Sequence, residues 1–364
     1  MRVLYFTVAD SPHDQRFLSA LAGSSHEVFA LRHSACTPQR SAGITELSWP
    51  KGCPDWSHWG GWQEGNSQLL EILDQVKPDL VHAGPIHKPA YLTALAGFHP
   101  LVSMSWGSDL LMHAKRSPWM GYATRCALSQ TDILLADCQT VADEAVRYGF
   151  PSDRIVQFPW GVDLNHFSPQ NAQAAGRELR STLGWDDKFV LLCNRTWSPI
   201  YGVDLLAQAF TRAVQNNPNL RLLLVGDGPQ SLKIKRILEP VADFVHLPGW
   251  MDQADLPAAY GAVDLFITPS HCDGSSVSLL EALACGCPVL ASDIPSNQEW
   301  IVSGQTGDLF TDADLESLEE KISTMSEDPH LVLYGKAARH LAERRADWRV
   351  NFKKLLIAYE MTVV

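Results

Sequence analysis

Residues 271–290 read HCDGSSVSLLEALACGCPVL. They follow the apolar run DLFITPS, turn through Gly274, Ser275 and Ser276, and enter an apolar stretch carrying one acid, Glu281, on its body. A buried strand, a glycine turn and a buried helix in that order mark the carboxyl edge of a parallel sheet. A buried helix has no packing use for a carboxylate, so something polar must wait for Glu281. Gly286 and Pro288 end the helix.

The same grammar runs outward in both directions. RVLYFTVA, HEVFALR, DLVHAG, LVSMSW, DILLAD and RIVQFPW alternate with helical stretches in the first half. After the polar segment SPQNAQAAGREL come FVLLCN, LRLLLVG, FVHLPG, DLFITPS, PVLASD and GDLF. Apolar strands separated by helices predict parallel sheets covered on both faces. The doubling predicts an α/β protein of two Rossmann-like doubly wound domains, residues 1–165 and 166–346. Ligands in such sheets bind beyond the carboxyl ends of the strands, and two such edges facing each other would enclose a cleft.

Composition agrees and excludes other classes. The 364 residues are 46% hydrophobic and 19% charged, with a formal net charge of -12, which argues against bulk binding to nucleic acid or to an acidic membrane surface. The eight cysteines show no C-x-x-C pair and no zinc-like spacing. MRVLYFTVAD reaches Asp10 too soon for a signal peptide, and no apolar run has transmembrane length. A cytoplasmic protein with free thiols is expected.

The turn at 273–276 admits two readings. In the plain one, Ser275 or Ser276 caps the helix, Ser278 and Glu281 form a second capping pair, and Glu281 lies at the solvent edge. In the other, the exposed amides at the helix start receive an anion, Asp273 meets a sugar hydroxyl and Glu281 a ribose diol. That is the outline of a sugar nucleotide.

These residues resemble the E-x7-E region of retaining GT-B glycosyltransferases of the family 4 type, with Asp273 in the place of the first glutamate. ADCQTVADEAVRYGFPSDRIVQFPWGVD, YGVDLLAQAF, VGDGP, HLPGWMDQADLPAAYGAVDLFITPS and IPSNQEWIVSGQTGDLF fit the family in order. The resemblance implies a C-terminal donor domain, an N-terminal acceptor domain, a final helix (347–364) packed back on the latter, and transfer with retention without a bound metal. It implies a nucleoside diphosphate sugar as donor substrate, uridine more often than guanosine, no cofactor, and a glycan, lipid-linked or small-molecule acceptor. It matches Arg195 to the arginine at the diphosphate, Glu281 to the ribose ligand and Asp273 to the acid at the donor sugar. It also brings the amides of Gly274 to Val277 to sugar and phosphate, and the backbone of Trp250 and Met251 to the base.

Two departures stand out. Tyr201 occupies the place of a lysine six residues after Arg195, and WGSD replaces H-G-x-D, with Trp106 in the histidine's place. Asp109 is kept and is expected near the reacting centre, or as a helix cap. His13 and Arg16 are expected on the loop after the first strand, near the diphosphate; His87 and His113 carry weaker signals. VGDGPQS lacks the third glycine of a dinucleotide fingerprint, since Ser231 stands there. WPKGCPDWSHWGGW holds four tryptophans from Trp49 to Trp62, suited to stacking on sugars or to anchoring a long loop. HAKRSPWMGYATR mixes cations and aromatics and suits weak peripheral contact with a membrane. Three activities stay open: transfer of a hexose to a hydroxyl, epimerisation or hydrolysis of the donor, and sugar-nucleotide binding without turnover.

Overall fold

All twelve apolar runs form strands, and one further strand appears. The computed structural model describes residues 1–9, 11–34 and 42–362. In it β1 (Arg2–Thr7), β2 (Glu27–Arg32), β3 (Ile44–Glu46), β4 (Leu80–Ala83), β5 (Leu101–Met104), β6 (Ile133–Ala136) and β7 (Ile155–Gln157) make one parallel sheet, ordered β3-β2-β1-β4-β5-β6-β7. β8 (Phe189–Cys193), β9 (Leu220–Val225), β10 (Val245–Gly249), β11 (Leu265–Thr268), β12 (Val289–Ser292) and β13 (Gly307–Phe310) make a second, ordered β10-β9-β8-β11-β12-β13. The unforeseen strand is β3. It lies at the sheet edge with none of its residues fully buried, and its sequence, Ile-Thr-Glu, holds one apolar residue, so no apolar run announces it.

The strand order reverses beside β1 in one sheet and beside β8 in the other, and the crevice at such a reversal is where doubly wound sheets bind ligands. β8 leads into Arg195 and its neighbour β11 leads into Asp273. The two residues that the sequence singles out therefore leave adjacent strands at the switch point of the second sheet.

The chain divides into two compact units, Met1–Trp160 with Val350–Val364, and Gly161–Arg349. The divisions fall a few residues from 165/166 and 346/347. Val162 pairs with Asp347, and the Arg339 guanidinium donates to the Leu164 and Phe167 carbonyls, which ties the 161–168 segment to the second unit. In the first unit, the final helix (Trp348–Glu360) is anchored by the Tyr359 hydroxyl, 2.7 Å from His82 Nδ1 on β4, and by Asn351 donating to the Pro159 carbonyl at 3.0 Å. Among the described residues, no helix is long and apolar enough to cross a membrane.

His82 is fully buried, and burial alone pushes its imidazole down to about 3. The unfolded chain protonates this group near pH 6.5 and the folded chain does not, so it adds stability above pH 6.5 that is lost as the pH falls toward 3. Between pH 6.5 and 5, the expected loss from this one residue is about 2 kcal/mol. Urea midpoints at the two pH values, with His82→Gln as the flattened control, check this. Equal slopes in both proteins would remove His82 as the cause.

Candidate functional site

The helix after the Gly274–Ser276 turn runs from Val277 to Ala284, and every residue on it is buried. Ser276 stands at its N-cap, yet its hydroxyl makes no bond to the helix amides. It accepts instead from Arg195 Nη1 at 2.6 Å, as does the Ser278 hydroxyl at 2.9 Å. Arg195 Nη2 meets Asp273 Oδ2 at 2.5 Å. One guanidinium thus gathers the turn, the helix start and the acid, a task that suits its planar fork of donors. The capping roles expected of Ser276 and of the Ser278–Glu281 pair give way, because a charged donor outcompetes a neutral amide.

Burial disfavours both charges of the pair. It raises the Asp273 carboxyl, with Arg195 pulling the other way. At Arg195 it opposes the charge, yet Asp273 and then Tyr201 outweigh it and lift the guanidinium above its ordinary value. A guanidinium keeps its proton in proteins, so the two remain an ion pair.

Tyr201, in the place of a lysine, lays its ring over the guanidinium at 4.2 Å. This is a cation–π contact that holds Arg195 from the other side. Gly202 must follow it. Its φ is +60°, and a Cβ there would stand 2.1 Å from the Pro269 carbonyl. Gly228 of the VGDGP turn is equally constrained, since a Cβ would meet the Trp197 carbonyl at 2.6 Å. The turn's glycine seats the Arg195–Trp197 loop, and Ser231 begins an ordinary helix, Ser231–Leu238.

Glu281 is 2% exposed, which excludes the solvent-edge reading. Its polar partners include the Tyr260 hydroxyl, donating to Oε2 at 2.8 Å, and Gln253 Nε2, donating to Oε1 at 3.3 Å. Asn194 Nδ2, beside Arg195, donates to the same hydroxyl at 2.7 Å. Trp300 Nε1 donates to Ser275 Oγ at 3.1 Å and holds the turn from behind. The sequence reading missed Tyr260, Gln253, Asn194 and Trp300. Each lies in a stretch that reads as a plain amphipathic element or loop, so only the distance to Glu281 or Ser275 reveals it.

Four buried polar atoms on these loops have no hydrogen-bond partner in the protein: Arg195 Nε, Asn194 Oδ1, Trp197 Nε1 and Gln230 Oε1. Orphans of this kind are costly, and four together on two adjoining loops mark a place built for a polar ligand. Gly274 keeps its amide on Asp273 Oδ1 at 3.1 Å. Trp250 is 67% exposed and Met251 partly so, at the start of the loop that carries Gln253.

In the first unit, Asp109 is buried and its carboxylate is fully occupied. Oδ2 accepts from the Ile86 amide at 2.8 Å, and Oδ1 from the Ser105 hydroxyl at 2.6 Å and the Trp106 and Leu110 amides at 3.0 Å each. It latches the loop after β5 to the loop after β4. Asp109→Ala would leave these donors without an acceptor, and the expected loss of stability is about 3 kcal/mol. Urea denaturation reads it, and a change below about 0.5 kcal/mol, ordinary for a surface site, would refute the latch.

His13 and Arg16 do not lie on a loop. They fall in the first turns of the Pro12–Ala22 helix, because Ser11 and Asp14 form a capping box that starts the helix soon after β1. The tryptophans of the biased segment anchor their loop. Trp49, Trp56 and Trp62 meet edge to face at 5.5 and 5.3 Å, while Trp59 and Trp119 stay 55% and 41% exposed.

A family model described as "Glycosyl transferases group 1" matches residues 187–328, and one described as "Glycosyl transferase 4-like" matches residues 2–138. The chain belongs to the GT-B glycosyltransferases of the family 4 type. A GDP-mannose-dependent alpha-(1-6)-phosphatidylinositol monomannoside mannosyltransferase of Mycolicibacterium smegmatis is 28% identical to this family member over 215 residues, 56% of each chain. A GDP-mannose-dependent alpha-mannosyltransferase of the same organism is 27% identical over 314 residues, 80% of this chain and 76% of its own. The match spans about half the length of the first curated relatives. Anabaena HepE, solved in complex with UDP, superimposes with a TM-score of 0.79 at 19% identity, covering 99% of this chain and 100% of its own. At that identity the likeness shows the GT-B fold.

Proposed function

We propose that this chain is a retaining glycosyltransferase that moves a hexose from a nucleoside diphosphate sugar to a hydroxyl of a glycan, lipid-linked or small-molecule acceptor. The observation that carries the reading is the Arg195 cluster. A charged guanidinium sits at the start of a buried helix, bonded to Asp273, Ser276 and Ser278, with Glu281 one turn further along. When the bond from anomeric carbon to phosphate breaks, negative charge grows on the diphosphate. Arg195 and the amides at the helix start face that charge already oriented. Asp273 orients the sugar, and Glu281, held by Tyr260 and Gln253, receives the ribose hydroxyls.

Relatives that use GDP-mannose and neighbours solved with UDP make both bases worth testing. The test is thermal stability against UDP, GDP and their sugars, since a ligand at about a hundred times its dissociation constant adds roughly 2.7 kcal/mol. Donor turnover follows. Transfer, or slow release of the free sugar, supports the proposal. Inversion within the donor sugar, or binding with no turnover under any acceptor, overturns it in favour of an epimerase or a sensor. Tyr201 and Trp106, in the places of a lysine and a histidine, are the features that favour a sensor.

A further inference from the structure

The second unit holds a cavity of about 700 Å³ that the Arg195 site does not use. It lies at the amino edge of the second sheet, beside Phe189 at the start of β8, Asp264 before β11 and Pro288 before β12. Arg195 and Asp273 follow the carboxyl ends of β8 and β11, so the two places occupy opposite edges of the sheet. The Val277–Ala284 helix connects them: its start carries the partners of Arg195, and Cys285 at its C-cap lines the cavity.

Glycines fix the walls. A Cβ on Gly335, in the Leu331–Arg345 helix, would stand 2.2 Å from the Gly286 carbonyl, and one on Gly261 would stand 1.9 Å from the Ala172 carbonyl. These backbones already touch, so no small shift of the helices closes the space beside them. The floor is apolar. Phe189, Pro288 and Leu331 line it with Cys285 and Cys287, and burial pushes the Cys287 thiol up to about 12, which keeps it neutral. A buried neutral thiol packs as a small hydrophobe, and a concave apolar space of this size suits a small molecule.

One lip carries charge. Val332, Lys336 and His340 recur at four-residue spacing on the Leu331–Arg345 helix, and all three are exposed and line the cavity. They make a stripe of about 12 Å, apolar at Val332 and polar from Lys336 to His340. The facing lip, Gln170 and Gln173 on the Pro169–Leu183 helix, is uncharged. Lys336 makes no ion pair among the described residues, whereas Arg339 is engaged by Glu343 and by the Ala284 and Phe167 carbonyls. Among the described lining residues the one carboxylate is that of Asp264, held by Arg180 and by the Val190 amide. In a chain of net charge -12, this cavity sets an unmatched cation beside apolar walls.

We propose that the cavity binds an amphipathic anion, an alkyl chain ending in a carboxylate or a phosphate, with the chain against Phe189 and Leu331 and the head at Lys336. The inference stands on the second unit alone and does not depend on the transferase reading.

The test uses the full chain with methyl-labelled leucine and valine. The probes are decanoate and decyl phosphate, each below its micelle concentration. Decanol keeps the chain without the charge, and acetate and inorganic phosphate keep the charge without the chain. At least one decyl anion is expected to shift the methyls of Leu331 and Val332, assigned through Leu331→Met and Val332→Ala. The methyls of Leu232, 85% exposed on the Ser231–Leu238 helix, should stay in place. Decanoate alone points to a fatty acid, and decyl phosphate alone to an alkyl phosphate. The three partial probes should bind at least about tenfold more weakly than the anion that succeeds. Lys336→Met, at an exposed position, is expected to weaken that anion by about tenfold, with decanol binding and the melting temperature unchanged. Leu331 and Val332 methyls that neither decyl anion moves overturn the proposal. So do equal shifts at Leu232, equal affinity for decanol, or an unaltered affinity in Lys336→Met.

Discussion

Arg195→Ala is expected to lower turnover of the donor by on the order of a hundredfold to a thousandfold, the usual cost of one preorganised oxyanion donor. The structure adds a second effect. Asp273 is 15% exposed in its side chain and has Arg195 as its ion-pair partner, so removing the guanidinium strands a buried carboxylate. Breaking such a pair from one side typically costs about 3 to 5 kcal/mol. The variant should therefore melt early as well as react slowly. Arg195→Ala combined with Asp273→Asn separates the two losses, since it removes the stranded charge and should recover stability without recovering turnover. Steady-state kinetics and thermal melts on both variants decide the matter. Normal turnover in Arg195→Ala would mean that another cation meets the diphosphate.

Glu281→Ala is expected to weaken nucleoside diphosphate binding by about tenfold to a hundredfold, in line with roughly 1.5 to 3 kcal/mol for a hydrogen bond to a charged group. The fold should tolerate the change, because the Tyr260 hydroxyl keeps a second acceptor in the Ser278 carbonyl at 3.1 Å and a donor in Asn194. Titration calorimetry with UDP and GDP reads the loss directly. Asp273→Ala offers the contrast: its carboxylate is assigned to the sugar, so discrimination between donor sugars should fall more than affinity for the free diphosphate. Wild-type binding in Glu281→Ala would remove the ribose assignment.

How much of this was legible in the sequence follows from what local order can encode. Apolar runs announced twelve strands, most of them buried on both faces and therefore apolar throughout; the partly exposed edge strands β7 and β10 still carry apolar residues, whereas β3, Ile-Thr-Glu, holds a single apolar residue and stayed silent. DGSSVSLLEALACG announced a turn, a helix and an anomalous acid, since a carboxylate in an apolar helix needs an explanation wherever the helix lies. The capping box of Ser11 and Asp14 is equally local, and it makes His13 and Arg16 helical where the place after β1 alone suggests a loop.

What the sequence by itself determined is therefore the periodicity, the parallel doubly wound class and the residue types at the strand ends. Tertiary structure decided the partnerships. Arg195 lies 78 residues from Asp273 and Tyr260 lies 21 from Glu281, and no rule of spacing joins them. They meet because β8 and β11 pair at the switch point and because the Tyr260 side chain reaches the Ser278 carbonyl and the Glu281 carboxylate. Hydrogen bonds and ion pairs act over a few ångströms, and only the folded sheet brings distant strand ends that close.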